Sequence, residues 1–124
     1  MTRPFLAEGE KPLEWAVGTR KDLAAFPDAV RRSIGKALEA AQLGGKPLKA
    51  KPWKGDGSGV LEVVEDHRGD TYRAVYTVRF EKAVYVIHVF QKKSKIGIKT
   101  DRKDQELVTS RLRAAELDYK EKYG

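Results

Sequence analysis

Hydrophobic and polar positions alternate through the second half of the chain with the period of β-strands. Val60–Glu65 mixes apolar and acidic positions as a strand does, and in Thr71–Arg79 apolar side chains occupy every second position from Tyr72 to Val78. Val84–Phe90 is apolar on both faces, which predicts the central strand of a sheet. Turns are expected at His67–Asp70 and at Glu81-Lys82, so the pattern predicts a meander of three antiparallel strands.

The first half of the chain carries a short strand signal and then a helical period. Leu13–Val17 is apolar and aromatic and predicts a first strand. A short helical turn is expected to follow, with the Thr19 hydroxyl as its N-terminal cap. Apolar residues then recur at three- and four-residue spacing over Ala29–Leu43, which predicts an amphipathic helix that ends at Gly44-Gly45.

A final helix is predicted near the carboxyl end of the chain. It begins near Thr100, whose hydroxyl can cap it, and Asp101 and Asp104 lie where carboxylates complement the helix dipole. The residues that mark its buried face are Val108, Leu112, Ala115 and Tyr119.

The order strand, two helices, three strands, helix predicts an α+β fold. We expect a small, mostly antiparallel sheet, an N-terminal strand plus the three-strand meander, with two N-terminal helices and a C-terminal helix. The helices are expected on one face of the sheet, which leaves the other face for function. A length of 124 residues suits one domain over residues 1–124, of which residues 1–12 are expected to be flexible.

Composition excludes several classes of protein. With 40% hydrophobic and 35% charged residues, the chain is globular rather than disordered. The absence of cysteine excludes a disulfide framework, a thiol nucleophile and a cysteine zinc site. The longest apolar run, Ala83–Phe90, is too short to span a bilayer, and residues 1–12 do not resemble a secretion signal. We therefore expect a cytoplasmic protein with no membrane partner.

Positive charge is concentrated in two segments. The formal net charge is +7, yet Lys46–Lys54 carries four lysines and no acid, and Gln91–Lys103 carries six basic residues against Asp101. Because these segments account for more than the whole net charge, they favour a polyanionic partner such as RNA or DNA. The alternative is that both are solvated loops kept soluble by lysine.

Three positions on the predicted strands could carry chemistry. Arg73 lies in the middle of an apolar strand, where it either grips a phosphate or forms an ion pair with Glu62 or Glu65. His88 could transfer a proton near neutral pH, although a lone strand histidine is more often a satisfied structural residue. Lys92-Lys93 follows the end of the last strand. Either the strand end holds the two ammonium groups precisely for function, or they only make the connection after the strand charged. Two histidines and no cysteine argue against a histidine-based metal site.

The chain resembles a known family from its last strand into its final helix. VYVIHVFQKKSKIGIKT at 84–100, with Arg111-Leu112 in the following helix, resembles the phage-derived, HigB-like branch of the RelE/ParE toxin superfamily. Four weaker similarities occur upstream in the same order as in that family, at 21–38 (KDLAAFPDAVRRSIGKAL), Leu48–Gly55, Gly59–Glu62 and Tyr72-Arg73. The resemblance extends over residues 13–117.

Two positions differ from the pattern of that family. Glu62 is followed by Val63-Val64, where the family often has leucine and then arginine, so one basic side chain is absent. Asp101 stands where the family commonly has proline.

The resemblance implies a toxin of a type II toxin–antitoxin pair. Such toxins are metal-independent endoribonucleases that cut translated messenger RNA in the ribosomal A site and need no cofactor. A ribose 2′-hydroxyl attacks the adjacent phosphorus, and Arg and Lys side chains stabilise the negative charge that gathers in the transition state.

The same resemblance implies roles for individual residues. Arg73 would bind the scissile phosphate, Lys92 and Lys93 would stabilise charge, and His88 would occupy a position suited to proton transfer. RNA-backbone contacts would come from Lys49, Lys51, Lys54, Lys95 and Lys99.

Two alternatives stay open, namely a toxin of the same fold that inhibits gyrase by binding and an RNA-binding module without catalysis. The implied partners are messenger RNA, the ribosome and a HigA-like helix-turn-helix antitoxin. Operator DNA would be bound only through that antitoxin, whose acidic segments would neutralise the two basic segments.

Overall fold

A computed structural model describes residues 6–92 and 101–124 of the protein. The elements in chain order are β1 (Leu13–Trp15), α1 (Thr19–Ala24), α2 (Asp28–Gln42), β2 (Ala50–Pro52), β3 (Val60–His67), β4 (Asp70–Thr77), β5 (Val84–Lys92) and α3 (Arg102–Tyr123). This order confirms the predicted α+β fold and adds one strand, β2, to it. No helix in the described part of the chain is long and apolar enough to cross a membrane.

The sheet has five strands in the order β1-β5-β4-β3-β2. Strands β2 to β5 pair antiparallel, and β1 pairs parallel to β5. The prediction that β5 is the central strand is wrong, because β2 extends the sheet beyond β3 and makes β4 the middle strand. β5 still has a neighbour on each side, which is why both of its faces are apolar.

Helices cover both faces of the sheet. On one face, α2 packs Ile34 and Leu38 against side chains that include Tyr76. On the opposite face, α3 packs Val108 and Leu112 against a second cluster of strand residues. The expectation that one face stays open is therefore wrong. The physical reason is that an interior strand with two apolar faces needs a helix on each.

A β-bulge interrupts the ladder between β4 and β5. Val75 lies opposite His88 while Tyr76 lies opposite Val86, which leaves Ile87 as an extra residue of β5. The bulge turns His88 toward α3, where its ring nitrogens find their partners. The strict alternation that places His88 and Val86 on one face is therefore wrong, because a bulge resets the period of two.

The helix starts differ from expectation in one detail. Thr19 does not cap α1; its hydroxyl donates to the Ala16 carbonyl over 2.8 Å, and Gly18 occupies the N-cap position at φ 80°. At α3 the N-cap residue is Asp101, and the predicted cap Thr100 lies outside the described residues.

Candidate active site

Arg73 is buried on β4, on the face of the sheet that α3 covers. Its Nη1 donates to Glu62 Oε1 over 2.7 Å, and both side chains are about nine-tenths buried. Glu62 is one of the two carboxylates predicted for the ion-pair alternative. Because a buried guanidinium is costly unless paired, this contact fixes where the positive charge sits.

Lys92 lies close to Arg73 on the neighbouring strand. Arg73 is opposite Phe90 and Thr71 is opposite Lys92, so Arg73 and Lys92 are diagonal neighbours on one face. Diagonal neighbours in an antiparallel pair are about 7–8 Å apart. Lys92 Nζ also donates to the Asp101 carboxylate over 2.9 Å at the start of α3. The structure thus brings two of the predicted catalytic residues together; the third cation, Lys93, lies outside the described residues.

A cleft between β2 and α3 reaches Glu62, the ion-pair partner of Arg73. Its volume is about 560 Å³, and Glu62 lines it together with Lys51 and Lys54 on one side and Arg102 and Gln105 on the other. In the β2–β3 ladder Lys51 lies directly opposite Glu62. The cleft therefore surrounds one carboxylate with cations from two separate segments.

The cleft continues along α3 as a second cavity of about 720 Å³. The two cavities share Lys54, Arg102 and Gln105, and the second reaches Arg113 two turns further along the helix. Across both cavities four cations, Lys51, Lys54, Arg102 and Arg113, stand beside the carboxylates of Asp56, Glu62 and Glu106. Cations spaced along the groove in this way suit an extended polyanion rather than a compact anion.

A hydrogen bond holds the loop over residues 53–59 against α3, and the distance between this loop and the helix sets the width of the cleft. The Asp56 carboxylate accepts hydrogen bonds from Trp53 Nε1 (2.9 Å) and from Thr109 Oγ1 (2.6 Å). The Asp56 carbonyl accepts another from Arg79 Nη2 (2.6 Å). At Gly59 φ is +82°, and a Cβ there would lie 3.0 Å from the Arg79 Cβ, so a larger residue is excluded twice over.

His88 joins β5 to α3 through both of its ring nitrogens. Nε2 lies 2.9 Å from Asp104 Oδ1, and Nδ1 lies 3.2 Å from Arg111 Nη1. Because arginine can only donate, Nδ1 accepts and Nε2 carries the proton that it donates to Asp104. Burial lowers the pKa of His88, against the opposing effect of Asp104. This arrangement favours the structural role that the sequence left open for His88 over proton transfer.

The sheet separates the predicted RNA-binding lysines. Lys51 and Lys54 line the cleft. Lys49 instead bonds Glu65 over 2.8 Å, on the face where Glu65 also accepts the Ser33 hydroxyl of α2. Lys95 and Lys99 lie outside the described residues.

The periodicity of the sequence does not single out Glu62, Arg102 or Gln105 as parts of one site. The apolar character of both faces of β5 predicts a helix on the Arg73 face, but it does not predict where that helix crosses the sheet relative to Glu62. Among the described residues, no group of three or more His, Asp or Glu side chains is placed to hold a metal ion.

The phage-derived protein Gp49-like family (DUF891) matches residues 21–113 of the chain. The chain belongs to this family. The matched range contains Glu62, Arg73 and Lys92 as well as the N-terminal half of α3. The resemblance noted from the sequence is thereby confirmed at the level of the family. No curated protein matches the chain significantly.

Solved structures of RelE toxins share the fold. A double mutant of the E. coli toxin RelE in the free state has a TM-score of 0.54 at 19% identity, covering 85% of this chain and 97% of that one. The isolated E. coli RelE toxin has a TM-score of 0.52 at 22% identity, covering 81% and 97%. The RelBE2 toxin–antitoxin complex from Mycobacterium tuberculosis has a TM-score of 0.45 at 20% identity, covering 71% and 98%.

Proposed function

We propose that the protein is the toxin of a type II toxin–antitoxin pair and acts as a metal-independent endoribonuclease on translated messenger RNA. The observation that carries the proposal is the Glu62–Arg73 pair, diagonal to Lys92, whose Glu62 member lines a cleft together with Lys51, Lys54 and Arg102. Family membership and the RelE fold support it.

The proposed reaction is an internal transesterification. The 2′-oxygen forms a bond to the adjacent phosphorus and the bond from phosphorus to the 5′-oxygen breaks, so negative charge gathers on the phosphoryl oxygens. Arg73 and Lys92 supply fixed positive charge at that place. Because Glu62 holds the guanidinium in position beforehand, little reorganisation is needed when the charge develops.

Two protons must move in this reaction. We assign Glu62 as the acceptor of the 2′-hydroxyl proton, because its carboxylate lines the cleft and touches the phosphate-binding arginine. Lys92 donates a proton to the departing 5′-oxygen. His88 is a positioning residue in this scheme, since Asp104 and Arg111 occupy both of its nitrogens.

The RNA chain on either side of the scissile bond lies along the cleft. Its phosphates near the reacting bond contact Lys51, Lys54 and Arg102, and a phosphate further along α3 contacts Arg113. The remaining proposed partners are the ribosome, which presents the messenger RNA, and a HigA-like helix-turn-helix antitoxin. Operator DNA is bound by the toxin–antitoxin complex only through this antitoxin.

The test is induced expression followed by mapping of messenger RNA ends. The site variant is Arg73→Met with Lys92→Met, and the matched control is Lys21→Met with Lys120→Met, two exposed lysines away from the cleft. Wild type and control should arrest growth and cut messenger RNA within codons. The site variant, shown to be folded by its thermal transition, should do neither.

Other outcomes identify the alternatives. Full toxicity in the folded site variant would reject the proposed site. Growth arrest with intact messenger RNA and broken DNA would favour a gyrase inhibitor. A harmless wild-type protein that binds RNA with steep salt dependence would favour a non-catalytic RNA-binding module.

A further inference from the structure

A second groove lies on the opposite face of the sheet from Arg73. It has a volume of about 450 Å³ and is enclosed by β1, α1 and α2. Its floor is apolar and includes Leu13, Trp15, Leu23 and Leu38. All four pack against the cluster beneath α2 rather than the one beneath α3. The groove is therefore separate from the proposed catalytic cleft.

Gly35 deepens this groove in the middle of α2. A glycine inside a helix costs about 1 kcal/mol relative to alanine, and it is normally explained by close packing or by a positive φ. Neither explanation applies to Gly35, because a Cβ built there meets no heavy atom of the described residues within 4 Å and φ is not positive. The missing side chain leaves an open notch in the groove wall.

The rim of the groove is cationic. Arg20, Arg31, Arg32 and Lys36 line it against one carboxylate, Glu39. Arg31 is engaged by Asp28 over 2.7 Å within the same helix. The exposed cations of the rim therefore complement a partner segment that carries carboxylates beside an apolar anchor.

We propose that this groove binds the antitoxin through an acidic segment that places one large apolar side chain over Gly35 and carboxylates beside Arg32 and Lys36. The identity of the partner as an antitoxin rests on the proposed function. An apolar floor with open space above Gly35 favours a protein segment over RNA, which would need phosphate contacts along the whole groove. Because the catalytic cleft lies across the sheet, binding at this groove and blockage of the cleft are separable events.

The first test fills the notch. The probe is the purified product of the reading frame beside the gene, and its affinity for the full-length protein is measured by calorimetry. Gly35→Leu should weaken binding by about tenfold or more, whereas the matched control Gly35→Ala should change it by less than about threefold. Messenger RNA cleavage by both variants in the absence of the probe should stay at the wild-type rate.

The second test reverses charge on the rim and does not depend on the notch variant folding. Arg32→Glu with Lys36→Glu should weaken binding by about tenfold or more and reduce its salt dependence, while Lys120→Glu on α3 should leave both unchanged. Wild-type affinity in both folded groove variants would overturn the inference. Loss of RNA binding with retained binding of the neighbouring protein would overturn it in favour of an RNA site.

The outcomes also separate this inference from the proposed function. If the neighbouring protein does not bind the wild type at all, the proposed toxin–antitoxin function fails, and this inference fails with it. If it binds and the groove variants make no difference, only the groove assignment is wrong.

Discussion

At the scale of single residues, the Glu62–Arg73 pair links stability to the proposed chemistry. Its members are buried against each other 2.7 Å apart, so the guanidinium balances the buried charge of the Glu62 carboxylate. Stability and activity should therefore respond differently when one partner or both are replaced.

Arg73→Met alone should lower the free energy of unfolding by about 3 kcal/mol or more, because it strands the Glu62 carboxylate. The double variant Glu62→Met with Arg73→Met should recover most of that loss, since the two charges leave together. Urea unfolding of the four proteins in this cycle checks the prediction. Additive single effects would contradict it.

The His88 contacts predict a dependence of stability on pH. Burial lowers the pKa of His88 in the folded protein, so the neutral ring stabilises the fold fully above about pH 6.5. As the pH falls below that value the unfolded chain binds the proton first, and this stability is lost. The charged groups that act on the ring are Asp104 and Arg111 of α3 and, more weakly, Asp22 of α1.

Unfolding free energies of wild type and His88→Gln should therefore be compared between pH 7.5 and 5. The difference between the two proteins should shrink as the pH falls, because the wild type alone loses the contribution of the neutral ring. A difference that grows toward pH 5 would contradict the assigned tautomer.

At the scale of elements, α3 does more than cover the sheet. It carries one wall of the cleft, and the Asp56–Thr109 contact holds the opposite wall against it. The loop that presents Lys54 is thus positioned by a side chain that need not touch the reacting atoms.

Asp56→Ala should consequently raise KM for RNA by several-fold while kcat changes little, since it loosens the basic loop without altering Arg73 or Lys92. Ser58→Ala in the same loop is the matched control, because within residues 6–92 and 101–124 the hydrogen bond of Ser58 is made by its backbone carbonyl, which accepts from Arg79. Steady-state cleavage of a model messenger RNA gives both constants. A fall in kcat at constant KM would mean that Asp56 takes part in the chemistry.

Much of the element pattern could be predicted from periodicity, and the exceptions have physical causes. β2 is not predicted because its three residues, which end in Pro52, are too few to show the alternation of a strand. These residues become a strand through their pairing with β3. The bulge at Ile87 is invisible in the sequence because β5 is apolar on both faces, so an extra residue interrupts no alternation of apolar and polar positions. The register of β5 against β4 after the bulge determines on which face of the sheet the His88 side chain lies.

The site was predictable where it depends on strand alternation and unpredictable where it depends on tertiary packing. Arg73 and Lys92 share a face because the ladder between β4 and β5 is regular at that end. Lys49 and Lys51 are separated because β2 begins only at Ala50, so Lys49 lies in the preceding turn and does not follow the strand alternation that places Lys51 opposite Glu62. To predict the position of Arg102, one must know where α3 crosses the sheet.

At the scale of the whole molecule, positive charge is presented on two opposite faces. One lines the cleft under α3 and the other surrounds the groove at Gly35. Positive side chains therefore line both a surface proposed for RNA and a surface proposed for a protein partner. The two surfaces should respond independently to mutation.

The salt dependence of RNA affinity measures directly how many phosphates the proposed RNA surface neutralises. Lys51→Ala with Lys54→Ala should weaken binding of a single-stranded RNA and reduce the slope of log affinity against log salt by about 1.4, or about 0.7 for each phosphate that the variant no longer neutralises. Lys120→Ala should leave the slope unchanged, because Lys120 is exposed on α3 outside the cleft. An unchanged slope in the double variant would place the RNA elsewhere.

The most direct test of the central claim is the chemistry of the RNA ends produced when purified protein acts on programmed ribosomes. Attack by the 2′-hydroxyl between Arg73 and Lys92 predicts a 2′,3′-cyclic phosphate or its 3′-phosphate hydrolysis product on one fragment and a 5′-hydroxyl on the other. Fragments that carry a 3′-hydroxyl and a 5′-phosphate would contradict it, because those ends require water, and not the ribose, as the nucleophile.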